Sequence, residues 1–415
     1  MILIINCGSS SLKYQLYSSD LTEIISKGIV CRIGEDGSYV SHAVSGVKVR
    51  RDIEVPDHRV AFAAMMECLL DPSNPAIGDI GAIEAIGHRA VHGGDTFVKS
   101  VVVTDDVIRK LEECSVLAPL HNPPNLLGIR EARRLLPDVP HVAVFDTSFH
   151  QGMPQRAHVY ALPYGLYTDH KIRRYGFHGT SCRFVSARAA EILARRLCDL
   201  RMVICHLGNG VTIDAVAGGR SVDTSIGFAT FSGIMMGTRP GDFDPGLIFH
   251  LNKELGLSLG DIETLCYKES GLLGVSGVSN DMRVVEEHAL AGNERCALAI
   301  DMFVYMVKKY VGAYAAAMGG LDALVFTAGI GENSPYIRSR ICCGLQFLGV
   351  DLDETANDAV GGEAAVIGTA GASAAAMVVP TDEERMIALD TLRLTATGHE
   401  DQPVEMRKLA AGTTA

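Results

Sequence analysis

MILIINCGSSSLKYQLY, residues 1–17, reads as strand, turn and returning strand. Met1 to Ile5 is apolar and rich in β-branched residues, the pattern of a buried strand. Asn6 to Ser11 is a turn of small polar residues, and Leu12 to Tyr17 alternates in character as a second strand. The tip of this hairpin presents hydroxyls and backbone N–H groups where Gly8 lets a ligand approach closely, a setting suited to phosphate. Lys13 adds a positive charge, and the Asn6 carbonyl oxygen is a donor of the kind that faces a hard metal ion. The plainer alternative is an ordinary Ser-rich hairpin.

The same pattern returns at RMVICHLGNGVTIDAV, residues 201–216, as strand, Gly-Asn-Gly turn and strand. Asn-Gly is a strong hairpin signal. One such hairpin near the start of each half suggests a duplicated architecture, against the alternative of two unrelated hairpins. A length of 415 residues points to two domains. Further buried strands are expected in HVAVFDTSFH (141–150), LDALVFTAGIGENS (321–334) and AAMVVPTDEERMIALD (375–390), the last turning at Pro380 into a helix that begins at Thr381 or Asp382. Helices are also expected over Val60–Leu70, Asp105–Cys114, Asn125–Leu135, Cys182–Arg196 and Glu294–Met318, with helix and turn over Asp261–Leu273. The tail after Glu400 lacks apolar periodicity and reads as loose.

Hydrophobic residues make up 47% and charged residues 21%, the balance of an ordinary globular protein. A net charge of −12 argues against nucleic-acid or membrane binding, both of which call for basic surface. No apolar run is long enough to span a bilayer. The 11 cysteines show no paired CxxC spacing. Without a signal peptide, they read as free thiols in a reducing cytoplasm. GxxxxGK[ST], the protein-kinase HRD and DFG elements, GxSxG and HExxH are all absent.

Several loops carry candidate chemistry. GHRAVHGGDTF (87–97) holds Arg89 beside glycines, suited to bidentate binding of carboxylate or phosphate, or else is a surface loop. LAPLHNPPNLLGI (117–129) forms a Pro-rich loop in which His121 is either a ligand contact or a satisfied loop histidine. Asp146 lies just past a buried strand, where α/β proteins place reactive groups, or caps a turn. His178 stands at a Gly-flanked helix entry suited to an anion or transition state. Arg239 sits in GIMMGTRPGDFDPG (233–246) among glycines and two acids. Asp281 and Arg283 occupy a Ser/Gly-rich loop. Gly329 and Gly331 would let a flat ring lie on the backbone. The acids after Pro380 suit the positive end of a helix, and one of them could hold a metal.

Taken together, INCGSSSLK, GHRAVHGG, LAPLHNPPN, VFDTSFH, RYGFHGTS, HLGNG, MMGTRPGDFDPG, SNDMR, TAGIGENS and PTDEER occur in this order along nearly the whole chain. In this the chain closely resembles the acetate kinase family of the sugar-kinase, heat-shock-ATPase and actin superfamily. The resemblance implies an α/β fold of two like-topology domains, each a mixed sheet flanked by helices, with the active site in the interdomain cleft. Residues 1–150 plus 385–415 would form the first domain and 151–384 the nucleotide-binding domain, the C-terminal helix returning to the first.

The resemblance also implies a reversible, ATP-dependent phosphorylation of acetate to acetyl phosphate and ADP, with Mg²⁺ (Mn²⁺ as substitute) and usually a homodimer. Asn6 and Glu383, rather than Glu384, would hold the metal, and Lys13 would touch the phosphates. Arg89 would bind the substrate carboxylate, with Val91, Leu120, His121, Phe177 and Thr230 around it. Asp146, His178 and Arg239 take the catalytic positions. His206, Leu207, Gly208, Asn209 and Gly210 would bind ATP, with Asp281, Met282, Arg283, Gly329, Ile330, Gly331, Glu332 and Asn333.

The chemistry fits this set. Acetate is ionised at neutral pH, so attack on a phosphoryl group needs charge neutralisation and in-line positioning more than a base. Asp146 then need not deprotonate anything; it reads as an acceptor that orients arginines or metal-bound water. One departure stands out: where the family commonly has Thr-Pro-Leu-Glu-Gly, this chain has Ala229-Thr230-Phe231-Ser232-Gly233. Thr230 in place of the proline would make the acyl pocket slightly more polar.

Overall fold

The computed structural model describes residues 1–119 and 121–396. Two compact units emerge: Met1–Phe149 together with the segment returning from Asp382, and His150–Thr381. The second crossing thus falls three residues before the expected 384, so Asp382, Glu383 and Glu384 belong to the first unit. Leu120 and the tail after Glu400 lie outside the described residues.

The first unit is built on an eight-stranded sheet of order β5-β4-β3-β2-β1-β6-β8-β7. Its strands are β1 (Ile2–Cys7), β2 (Ser11–Tyr17), β3 (Ile24–Cys31), β4 (Tyr39–Val44), β5 (Val47–Asp52), β6 (Ala85–Ala90), β7 (Val101–Val102) and β8 (His141–Phe145). β1 to β5 form an antiparallel meander, while β6 runs parallel to β1 and β8 parallel to β6. The alternation of β1 sorts its side chains between two faces. Leu3, Ile5 and Cys7 join Phe62 and Met65 of the helix His58–Leu69 in one core. On the other face, Ile4 meets the returning helix Glu383–Ala396. A Cβ at Gly87 of β6 would stand 2.4 Å from Thr391 Oγ1 and 2.7 Å from Ile387 Cγ2, so this helix lies directly on the backbone of β6.

The second unit carries a six-stranded sheet of order β11-β10-β9-β12-β14-β13. Its strands are β9 (Arg201–Leu207), β10 (Val211–Ala217), β11 (Arg220–Thr224), β12 (Ala323–Thr327), β13 (Ala365–Val366) and β14 (Ala375–Val378). β9 and β10 make the expected hairpin, and β12 and β14 continue parallel to β9. The succession β11-β10-β9-β12-β14 repeats β3-β2-β1-β6-β8, three antiparallel strands followed by two parallel ones. The helices Gly179–Ile192 and Glu294–Met318 pack against β9.

Four local outcomes differ from the sequence expectations. Residues 18–85 show only short alternating segments in the sequence, yet within them Ile24–Asp52 contributes a full meander, β3 to β5. The helix expected from Asn125 begins at Asn122, with prolines in its first turn, where the missing N–H costs nothing. The expected turn after β12 is a short helix, Ala328–Asn333. The stretch 261–273 divides into the helix Leu259–Thr264, a wider π-helical turn Leu265–Glu269, and the start of the helix Gly271–Ser276.

Candidate active site

In the first unit, the carboxyl ends of the central strands gather the polar residues, the usual place for ligands on such sheets. Asn6 lies near the end of β1, opposite Lys13 of β2. Arg89 is on β6, and Asp146 follows β8 directly, its N–H donating to the Ala90 carbonyl at 3.1 Å. Arg89 Nε donates to both Asp146 oxygens at 3.2 Å, and Nη2 donates to Oδ2 at 2.6 Å. Asp146 is 1% exposed, so this bidentate pair is largely withdrawn from water. Arg89 Nη1 lies 3.5 Å from Asn6 Oδ1. Burial opposes the Arg89 charge, but the Asp146 and Glu383 carboxylates outweigh it and hold the guanidinium protonated beyond its ordinary range.

Glu383 opens the returning helix, which Asp382 caps by accepting from the Arg385 N–H at 2.9 Å. Burial pushes the Glu383 carboxyl up to about 7, with Arg89 pulling it down and the nearby Asp146 and Glu384 charges raising it further. A carboxyl held this high among other acids is a site short of positive charge. Together with the Asn6 amide oxygen, it is an all-oxygen donor set of the hard type that suits a magnesium-sized cation. Val91 is buried, its N–H bonded to Asn125 Oδ1 at 3.0 Å. Asn125 also donates to the Cys7 carbonyl at 2.7 Å, tying the loop after Arg89 to the end of β1. His121 precedes that helix, its N–H bonded to the Ala118 carbonyl at 3.0 Å.

In the second unit, His178 stands at the entry of the helix Gly179–Ile192 with φ 55, in the left-handed region that a non-glycine residue rarely occupies. Its Nδ1 is 2.8 Å from Thr212 Oγ1 of β10. Its ring stacks on His206 of β9 with centroids 4.2 Å apart. His206 Nδ1 in turn meets Ser181 Oγ at 2.9 Å, and Ser181 meets Thr381 at 2.7 Å. The Cε1–Nε2 edge of His178 faces Gly210, where a Cβ would come within 3.2 Å of Cε1.

Gly208, Asn209, Asp281, Met282, Arg283, Gly329, Ile330 and Asn333 surround a cavity of about 610 Å³, in the range of small-molecule sites. Asp281 caps the helix Met282–Leu290 and pairs with Arg283 at 2.6 Å. A Cβ built on Gly329 would meet no atom within 4 Å. Leu207, by contrast, is a fully buried core side chain at the end of β9. Glu332 is committed elsewhere too: its Oε1 accepts from Ala328 N at 2.7 Å and Thr381 N at 3.1 Å.

Arg239 is partly buried, and desolvation holds its guanidinium below the ordinary arginine range. Its Nη1 donates to the Thr230 carbonyl at 3.0 Å, and its guanidinium lies 5.9 Å from the Tyr267 ring centroid. It has no carboxylate partner among the described residues. Phe177 is buried and its carbonyl accepts a hydrogen bond from His150 at 3.0 Å.

Among the expected residues, the first unit therefore brings together Asn6, Lys13, Arg89, Asp146 and Glu383. The second gathers His178, His206 and the 208–210 loop, and lines its cavity with the 281–283 and 329–333 segments. Thr212, Ser181 and Asn125 support these groups without being expected as site residues. A lone Thr in a strand carries no signal, Ser181 reads only as a cap for the following helix, and Asn125 only as a helix start.

The chain matches the family model described as the acetokinase family over residues 1–389. It is 51% identical over 395 residues to an acetate kinase of Alkaliphilus metalliredigens, covering 95% of this chain and 99% of that protein. The crystal structure of Porphyromonas gingivalis acetate kinase matches with a TM-score of 0.91 at 46% identity, over 95% of this chain and 99% of that one. That of a propionate kinase from Francisella tularensis matches with a TM-score of 0.88 at 40% identity, over 94% and 99%.

Proposed function

Because the chain belongs to the acetokinase family, we propose that it catalyses reversible transfer of the γ-phosphoryl group of ATP to acetate, giving acetyl phosphate and ADP. The observation that carries this reading is Arg239. A partly buried, desolvated guanidinium without a carboxylate partner among the described residues is stabilised by an incoming anion. A trigonal phosphoryl group in transit is such an anion.

The residues divide the work. Acetate is already a carboxylate at neutral pH, so no general base is needed. Arg89 binds it, with Nε and Nη2 held by Asp146 and Nη1 directed toward Asn6. Asp146 thus orients Arg89 and removes no proton. Arg239 and His178 meet the charge that builds on the transferring group, each fixed beforehand, so little reorganisation is left for the reaction step. Lys13 contacts the phosphates, and Gly329 leaves room for the adenine. Asn6 and Glu383 would hold Mg²⁺, which would supply charge neutralisation to the phosphates.

Acetate is the acceptor we favour, with propionate as the second reading because one similar structure is titled a propionate kinase. Val91 and Phe177, each buried, are the apolar side chains this reading assigns to a short acyl chain. The chain acts as a homodimer in this reading. What supports that is the exposure of Leu298, Met302 and Tyr305 along one side of the helix Glu294–Met318; light scattering tests it. The cytoplasm is the compartment we infer, supported by the free state of all 11 cysteines. Among the described residues no helix is long and apolar enough to cross a membrane.

Acyl phosphate formation with acetate, propionate and butyrate, each with ATP and with pyrophosphate, tests the reading. Acetate with ATP and Mg²⁺ should give the highest kcat/KM. A preference for propionate overturns the acyl assignment, and turnover with pyrophosphate but not ATP overturns the donor.

A further inference from the structure

His150 has no place in the mechanism above, yet it lies fully buried beneath the turn that presents His178. Its Nε2 is 3.0 Å from the carbonyl oxygen of Phe177, the residue directly before His178. Its Nδ1 is 2.9 Å from Ser221 Oγ of β11, and Ser221 Oγ is 2.7 Å from Asp214 Oδ1 of β10. Nδ1 also approaches that carboxylate oxygen at 3.4 Å. His150, Asp214 and Ser221 are each 0% exposed.

The turn above this cluster is backbone-strained. Gly176 has φ +78 and His178 φ 55, so two of three consecutive residues lie in the left-handed region. A Cβ on Gly176 would come within 2.5 Å of His150 Cγ, so the imidazole presses directly against this glycine. A non-glycine residue in that region is strained and persists only where neighbours over-determine it. Thr212 holds His178 by its ring; His150 holds it by the backbone. Thr212 and Asp214 are alternate residues of β10 and share one face of that strand. One strand face therefore anchors both histidines, His178 directly and His150 through Ser221.

Counting hydrogens shows how firmly His150 is set. A carbonyl only accepts, so Nε2 carries a hydrogen directed at Phe177. Nδ1 faces Ser221 Oγ, which also faces the Asp214 carboxyl. Ser221 Oγ donates to the Asp214 carboxyl, and rotation of the His150 ring would break its contacts to both Phe177 and Ser221.

We propose that His150 is a positioning residue for phosphoryl transfer: its Nε2–H bond to the Phe177 carbonyl, backed by Ser221 and Asp214, holds the left-handed turn that aims His178. This rests on the placement of His178 at the transferring phosphoryl group. His150 touches no substrate, so its contribution passes entirely through His178.

The test is a double-mutant cycle in the full-length enzyme, read as kcat and as KM for ATP and acetate. His150→Ala should lower kcat about tenfold or more while both KM values move less than about twofold, the mark of an interaction made in the transition state. In a His178→Ala background the same change should lower the residual kcat by less than about twofold, because the group it positions is gone. His150→Gln, which keeps an N–H donor near the Nε2 position, should recover most of the loss. Should His150→Ala fail to fold, Ser221→Ala carries the cycle; it should lower kcat several-fold in the native background and leave it nearly unchanged without His178. Equal fold-losses with and without His178 overturn the proposal, since a merely structural role gives that result. So does native kcat in His150→Ala. Full turnover in His178→Ala is a separate outcome: it removes His178 from the reaction, and the proposal with it.

Discussion

Gly329 offers a perturbation in which stability and nucleotide affinity should move in opposite directions. It is the second residue of the short helix Ala328–Asn333, and its open side faces the cavity of about 610 Å³. A Cβ added there meets no protein atom within 4 Å, so Gly329→Ala brings no clash within the protein. Replacing a helical glycine by alanine restricts the unfolded chain and should stabilise the protein by about 0.5–1 kcal/mol. The new methyl projects instead into the space assigned to adenine. Forcing an extra methyl into a packed contact costs about 1–3 kcal/mol. At about 1.4 kcal/mol per tenfold, that raises KM for ATP by about 5- to 150-fold. Acetate KM and kcat should stay within about threefold, because the lost interaction is equal in ground and transition states. Steady-state kinetics with ATP varied, ADP titration calorimetry and urea unfolding read the three quantities. Unchanged ATP and ADP affinities would place the nucleotide elsewhere, and a loss of stability would contradict the open space beside Gly329.

Asp146→Asn keeps the shape of the side chain but removes the charge that holds Arg89. It should lower kcat/KM for acetate by about 2–4 kcal/mol, roughly 30- to 1000-fold, and kinetics within threefold of native would deny Asp146 its orienting role. Val91→Ala should narrow the acetate-to-propionate ratio of kcat/KM, which for one methylene in a packed pocket starts at about tenfold; an unchanged ratio removes Val91 from the acyl wall. His92 is buried, and burial holds its imidazole down at about 4. A lowered histidine stabilises the fold fully above its unfolded value near 6.5 and loses that contribution as pH falls toward 4. The stability advantage of the native protein over His92→Gln should therefore shrink by about 2 kcal/mol between pH 7.5 and pH 5, measured by urea unfolding; a constant difference would mean that His92 titrates alike in both states.

The paired hairpins are legible in the sequence because period-two apolar strands flank Gly- and Ser-rich turns at both places. Arg89, Asp146, His178 and Arg239 are legible because charged or titratable residues stand beside glycines or just past buried strands. The meander β3 to β5 is not, since β5 is exposed along its whole length and its Lys and Arg residues give no buried period. Glu332 and Leu207 show another reason. An acid in a Gly-rich segment reads as a ligand group, but here it bonds the backbone N–H groups of Ala328 and Thr381. A residue adjoining a binding loop reads as part of it, but Leu207 points into the core because its strand runs one residue further. His150 carries no signal at all, since its partners Ser221 and Asp214 are far off in sequence and meet it only through the sheet.

The returning helix has a consequence for how the protein is made. The second unit is one uninterrupted run of chain, whereas the first is begun early and finished last. During synthesis, the β1–β6 surface around Ile4 and Gly87 emerges long before Ile387 and Thr391, the side chains that seal it. Domains fold as they leave the ribosome, and exposed apolar sheet at that stage invites aggregation. The nascent chain must therefore carry an open sheet through translation of the whole second unit. Glu383, the acid proposed to hold the metal, arrives on the same helix that closes it, so a chain released too early lacks both the helix that covers the sheet and that carboxyl group.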